Sequence, residues 1–250
     1  MEAKELNVMS TIDYTEQPSL FFEASEKGRP LLVGLHTWSF SRDNQIKNML
    51  PYAEKYDFNL LLPEFRGPNL KNNPRAREAC GSRLAIGDIK DAIDYVVREY
   101  GADRENVFLL GLSGGGHMAL MMAGHYPEYF KAVGAYVPIT DLKRWTDENS
   151  QYRNSVFACC TDDEAELFAR SPISCIDGIA RANVKIFHGK YDPVVPVTHS
   201  LDLYRRIFER YPSARVYLDI FNGGHEIDMQ SAMYWIMSEY NGTKKIEVTG

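Results

Sequence analysis

Apolar runs alternate with helical patterns along most of this chain. Short runs at Leu20–Ala24, Pro30–His36, Phe58–Pro63, Asn106–Gly111, Ala132–Val137, Asn183–His188 and Arg215–Phe221 have the length and composition of strands. Between them Ile86, Ile89, Ile93, Val96, Val97 and Tyr100 recur at helical spacing, while Asp88, Asp91 and Asp94 fall on the opposite face and read as a solvated surface. Val197, Leu201, Tyr204, Phe208 and Tyr211 give a second stripe, and Met229, Met233, Ile236, Met237 and Tyr240 a third; both read as core. Met118, Met121 and Met122 read as packing beneath the sheet. The alternation predicts an α/β fold: a mostly parallel twisted sheet with helices on both faces.

One interval breaks the rhythm. Residues 138–182 carry Trp145, Tyr152, Phe157 and Phe168 among many polar residues, more chain than a crossover helix needs. Two roles are open for Trp145, Tyr152 and Phe157: walls of a substrate pocket, or ballast that holds the insertion on the body. Residues 241–250 read as a polar tail, no repeat or low-complexity tract is present, and 250 residues suffice for one large α/β domain but not for a second of similar size, so 1–250 is expected to form one domain.

The chemistry enters at residues 106–117, where an apolar strand runs into Gly111-Leu112-Ser113-Gly114-Gly115 and then a helix. That is the nucleophile-elbow pattern G-x-S-x-G in its strand–turn–helix setting. A serine at so sharp a turn is expected at strained φ/ψ, with glycine neighbours giving the chain clearance. The pattern alone matches by chance in roughly one chain in ten of this length, so its context has to carry the argument. Downstream, the strand ending at Gly189 is followed by Asp192 in a proline-stiffened loop, and the strand ending near Phe221 by Asn222-Gly223-Gly224-His225. The order Ser113, Asp192, His225 is the nucleophile–acid–base order of α/β-hydrolases. All three follow strand C-termini, where open α/β sheets place their sites.

An oxyanion needs two donors. The Gly114 amide at the helix start is one, and the turn after the strand Leu31–Leu35 points to the Trp38 amide as the other. His36 reads as a turn stabiliser and His117 as a residue that packs or bonds within the first helical turn, while His188 ends a strand beside the acid loop and His125 and His199 look peripheral. Asp141 is the alternative acid, with capping of the next helix as its plainer role. Rival motifs fail on spelling. His117-Met118 stands where a P-loop requires Lys-Ser/Thr, Met229 replaces the second histidine of a zincin, and Ser113 replaces the second glycine of a dinucleotide fingerprint. No metal, nucleotide or other cofactor is implied.

Composition narrows the partners. A net charge of −6 without basic clusters argues against nucleic acid, and no apolar stretch approaches the roughly 20 residues of a membrane span. Met1-Glu2-Ala3-Lys4-Glu5-Leu6 lacks the features of a secretory signal, so cytoplasmic residence is expected unless a leader has been removed. Cys80, Cys159, Cys160 and Cys175 fit a reducing compartment and show no zinc spacing.

The stretch Leu110-Gly111-Leu112-Ser113-Gly114-Gly115-Gly116-His117-Met118-Ala119-Leu120, the triplet Ser171-Pro172-Ile173, His188-Gly189 with Asp192 and Val195-Pro196, Gly224-His225, and Phe65-Arg66-Gly67-Pro68-Asn69 together resemble the catalytic domain of prolyl-oligopeptidase-type serine hydrolases. The resemblance spans about residues 30–240. It implies an α/β-hydrolase fold with a cap insertion at about 138–182 after the sixth core strand, with Ser113 as nucleophile, Asp192 as acid and His225 as base. Peptidases of that family commonly carry a propeller before the sheet; only about 30 residues precede it here, so the propeller is expected to be missing. The chain is therefore also similar to stand-alone esterases of the same superfamily. A small acyl ester is the expected substrate, a short peptide the alternative, and a non-catalytic binding protein on the same fold the rival from another class.

Overall fold

The computed structural model describes the backbone of residues 1–244 and the side chains of residues 1–242. Strands β1 (Ala3–Met9), β2 (Glu16–Phe22), β3 (Leu31–Leu35), β4 (Asn59–Pro63), β5 (Val107–Leu112), β6 (Ala132–Tyr136), β7 (Val184–Gly189) and β8 (Val216–Phe221) make one sheet in the order β1-β2-β4-β3-β5-β6-β7-β8. From β4 to β8 neighbouring strands are parallel; β1 and β2 add an antiparallel hairpin at one edge, with Ala3 opposite Phe22 and Met9 opposite Glu16. The central strands β3, β4 and β6 are buried at every position, as strands covered on both faces must be.

Helices α2 (Arg83–Tyr100), α3 (Gly114–His125), α7 (Ile176–Ile179) and α8 (Thr198–Arg210) cover one face of the sheet. Helices α1 (Ile46–Tyr56) and α9 (Met229–Lys244) cover the other. The residues 138–182 fold as α4 (Leu142–Glu148), α5 (Ser150–Cys160), α6 (Glu164–Ala169) and α7, and a third apolar cluster lies among α4, α5, α6 and the loops at Trp38 and Val195. Helix α2 shows how local chemistry sets the ends. Ser82 Oγ accepts the Ala85 amide at 3.0 Å, and Gly101 closes the helix at φ 71°. No described helix is long and apolar enough to cross a membrane.

Four expectations are corrected. Strand β1 has no apolar run; only Leu6 and Val8 alternate inward among charged and polar neighbours, the pattern of a half-exposed edge strand. Asp88 and Asp91 are buried, not solvated. The segment between β1 and β2 and the loop after β4 fold over this face of α2. Arg66, fully enclosed, pairs with both oxygens of Asp88 and with Asp13 and Glu78, and Thr11 N donates to Asp91 Oδ2 at 2.7 Å. On α8 the core is made by Leu203 and Ile207, while Leu201 and Phe208 are exposed, because β8 is the last strand and covers only a narrow side of the helix. At the C-terminus the expected tail begins as helix, since α9 runs to Lys244; the rest of the 241–250 segment, from 245 on, lies outside the described residues.

Candidate active site

Strand β5 delivers Ser113 to the C-terminal edge of the sheet and the chain reverses at once into α3. Ser113 sits at φ 59°, ψ −116°, a region that costs a non-glycine residue about 1–3 kcal/mol. The tightness of the turn is visible at Gly111, where an added Cβ would lie 2.0 Å from the Gly115 carbonyl oxygen. Two bonds hold the turn: Ser113 N donates to Tyr136 O at 2.9 Å, and His117 N donates to Ser113 O at 2.9 Å.

Beside the turn lies the loop after β3. A Cβ on Gly114 would stand 2.6 Å from Trp38 N, so the two main chains nearly touch there. Neither the Gly114 amide nor the Trp38 amide donates to another described residue. His36 anchors this loop as the sequence suggests: its ring nitrogens lie 2.9 Å from Thr37 O and 2.8 Å from Glu64 O, and the ring stacks on Phe65 at 3.9 Å. Burial lowers the pKa of His36, which does not suit it to carry protons in the neutral range.

The loop after β7 brings Asp192 under the loop after β8. Asp192 Oδ2 accepts from His225 Nδ1 at 2.8 Å, and Oδ1 accepts the amides of Val194 and Val195 at 2.8 and 2.9 Å. The loops are tied along their length, Lys190 N to Phe221 O at 2.9 Å and Tyr191 N to Gly223 O at 3.0 Å. Burial alone would raise the Asp192 pKa, but hydrogen bonds from His188, His225 and the Val195 amide outweigh it, and the carboxyl is held well below the usual range. Asp192 is therefore an anion at neutral pH. The His225 side chain keeps 21% of its surface exposed, enough to meet a ligand. Ser113 Oγ makes no hydrogen bond to His225 in this conformation; contacts of this kind commonly tighten only when substrate is bound.

Of the three aromatics expected near the site, Trp145 is fully buried, with Nε1 donating to Val194 O at 3.0 Å. It meets Trp38 edge-on at 4.9 Å and Tyr152 face-on at 4.6 Å, and Phe157 packs on the same cluster. The indole N–H of Trp38 is buried with no acceptor among the described residues. Asp141 caps α4, its Oδ1 accepting Arg144 N at 3.0 Å, and so is spent away from His225. His117 is packed in the first turn of α3, fully buried, and its Nε2 donates to Arg170 O at 2.7 Å, which ties α3 to the 138–182 segment. His199 is not peripheral but buried between Thr140 and Glu148. His188 and Ser200 are enclosed behind Asp192; His188 stood in the His188-Gly189…Asp192 stretch without a role assigned to it, and nothing in the sequence pointed to Ser200.

Among the described residues no group of three or more His, Cys, Asp or Glu side chains could hold a metal. The four cysteines are free, with Cys160 Sγ 3.7 Å from Cys80 Sγ. A cavity of about 610 Å³ lined by Thr11, Ser82, Arg83, Lys90 and His125 contains none of Ser113, Asp192 or His225.

The prolyl oligopeptidase family matches residues 77–241. The chain belongs to this family. It is 36% identical over 89 residues to feruloyl esterase B of Neurospora crassa, covering 34% of this chain and 30% of that protein. To acylamino-acid-releasing enzyme 2 of Oryza sativa subsp. japonica it is 26% identical over 228 residues, 82% of this chain and 29% of that one. The chain thus spans about 30% of the length of these curated relatives. Among solved structures, an esterase of Pyrococcus furiosus superposes with a TM-score of 0.71 at 16% identity, covering 98% of this chain and 92% of that one. At that identity the likeness speaks for the α/β-hydrolase fold.

Proposed function

We propose that this member of the prolyl oligopeptidase family is a serine hydrolase that cleaves short-chain acyl esters through an acyl-enzyme. The observation that carries the reading is the convergence of three loops. The 2.8 Å pair of Asp192 and His225 is carried to the same sheet edge as Ser113 on its strained turn, where the main chains of Gly114 and Trp38 nearly touch and their amides are unbonded among the described residues.

In this reading His225 takes the Ser113 proton as Oγ attacks the acyl carbon. The Asp192 anion holds Nδ1–H and stabilises the imidazolium that forms. The two free amides receive the oxyanion, each contributing about 2.7–4 kcal/mol to the transition state. The imidazolium then protonates the leaving alcohol, and a water activated by the same histidine releases the acid. Tyr152 and Phe157, which keep some exposed surface against the buried Trp38 and Trp145, are the candidates to wall a small apolar acyl group. Trp145 Nε1 and Asn149 Nδ2 are both committed to Val194 O and are not available to an extended peptide backbone.

The alternative, removal of an acylated residue from a peptide, is favoured by the match to the rice enzyme over 82% of this chain. One panel separates the two: acetyl and butyryl p-nitrophenyl esters against acylaminoacyl and prolyl anilides, with kcat/KM for each. Esters are expected to lead; amides ahead of both esters would replace the ester reading with the peptide one. Ser113→Ala and His225→Ala should each remove nearly all turnover, and the double variant should be little worse, because nucleophile and base act as a unit. Near-normal turnover by Ser113→Ala would refute the nucleophile. Absence of both turnover and fluorophosphonate labelling in the wild type would favour a binding protein on this fold.

A further inference from the structure

A second imidazole is packed behind the Asp192 carboxylate. His188 is fully enclosed near the end of β7, with Nε2 2.8 Å from Val195 O and 3.5 Å from Asp192 Oδ2. That is the same oxygen that accepts from His225 Nδ1. On its far side, His188 Nδ1 lies 2.7 Å from Ser200 Oγ, itself buried on α8. The chemistry of the partners assigns the proton. A carbonyl and a carboxylate can only accept, so Nε2 carries the hydrogen, and Nδ1 accepts from the Ser200 hydroxyl. A buried imidazole costs stability unless both ring nitrogens are satisfied; here Nδ1 is satisfied by Ser200 on α8 and Nε2 only by the acid loop.

We propose that His188, oriented by Ser200, is a positioning residue for the Asp192–His225 pair. Its Nε2–H holds the Val195 carbonyl and shares the charge of Oδ2, which fixes the plane of the carboxylate. The Val194 and Val195 amides already fix the other oxygen, so the acid is held at both ends. The titratable groups around His188 are Asp192 on the loop that follows it and His225 beyond that carboxylate. On α8, His199 next to Ser200 faces Glu148 and Thr140 instead. Withdrawing the Nε2–H donor concentrates negative charge on Oδ2 and strengthens the hold on a protonated His225. The acid limb of the kcat/KM profile must then move to higher pH. The inference rests on the reading of Ser113, Asp192 and His225 as a triad.

The test uses the full chain with p-nitrophenyl acetate and a fluorophosphonate label. His188→Leu should lower kcat roughly 10–100-fold through misplacement of the base, leave KM within about threefold, and move the acid limb up by about half a unit or more. His188→Gln, which returns an N–H near the Nε2 position, should recover most of kcat and return the limb toward the wild type. Ser200→Ala, a smaller change to the interior, should shift the limb in the same direction with a smaller loss of kcat. If His188→Leu does not fold, His188→Gln and Ser200→Ala decide. An unmoved acid limb in Ser200→Ala, or a Gln variant no better than a folded Leu variant, overturns the proposal while wild-type labelling at Ser113 keeps the triad. Failure of wild-type labelling overturns both.

Discussion

Gly114→Ala tests the proposed oxyanion site through backbone geometry alone. The new Cβ would sit 2.6 Å from Trp38 N and 2.7 Å from Trp38 Cα, where an unstrained contact needs about 3.5 Å. The two main chains must separate by about 0.8–0.9 Å along that line. An amide that donates at 2.7–3.1 Å to the developing oxyanion would then stand near 3.5–4 Å, beyond a useful hydrogen bond. Losing one donor is worth about 2.7–4 kcal/mol, so kcat should fall roughly 10²–10³-fold. Because the interaction matures only in the transition state, kcat and kcat/KM should fall together with KM little changed. The atoms displaced are backbone atoms of a residue buried against Trp145 and bonded through its carbonyl to Asn69 N, so a loss of stability is expected beside the loss of rate, offset by about 0.5–1 kcal/mol because alanine early in a helix is favoured over glycine. Initial rates on p-nitrophenyl acetate, beside a thermal melt, give the result. A folded Gly114→Ala protein with kcat within about threefold of wild type would refute the assignment of the Gly114 and Trp38 amides.

Asp192→Asn should cut kcat by about 10⁴, the size of effect known when a triad acid loses its charge, whereas Asp141→Asn should leave rate and stability nearly unchanged, because an Asn Oδ1 caps α4 about as well as the Asp Oδ1 that accepts Arg144 N; the reverse ranking in steady-state rates would move the acid to the loop after β6. The depressed pKa of Asp192 means that its ionisation stabilises the fold above the unfolded carboxyl value of about 3.9 and that this contribution is lost as pH falls from there through the folded value. The melting temperatures of wild type and Asp192→Asn should therefore converge below about pH 4, and a constant gap down to pH 3 would contradict that. Tyr152→Ala, which removes the ring stacked on Trp145, should move the preferred acyl chain to longer lengths without loss of Ser113 labelling; an unchanged chain-length profile would leave the aromatics of the 138–182 segment as packing only.

Much of the site was legible because its parts are local. A strand, a glycine-clamped turn and a helix lie within residues 107–125, and their spelling states both the elbow and the clearance it requires. Asp192 and His225 follow apolar strands, so parallel topology alone carries them to the edge where Ser113 emerges. What escaped was every feature decided by a distant neighbour. Asp88 and Asp91 sit on the polar side of α2 by periodicity, yet they are buried because Arg66, Asp13 and Thr11 arrive from other segments. Leu201 and Phe208 fit a helical stripe but are exposed, since which stripe meets the core depends on how α8 lies against the last strand.

The sequence by itself determined the strands from β2 to β8, the helices α2, α3, α8 and α9 between and after them, and the residues able to do nucleophile, acid and base chemistry, because these follow from local periodicity, turn stereochemistry and side-chain functional groups. Only the tertiary structure decided that Asp192 and His225 meet at 2.8 Å, that the Gly114 and Trp38 main chains come together, and that His188 and Ser200 stand behind the acid. Such contacts join residues up to tens of positions apart. Their geometry is set by the register of the parallel sheet and by the packing of helices on it, and no single stretch of chain encodes either.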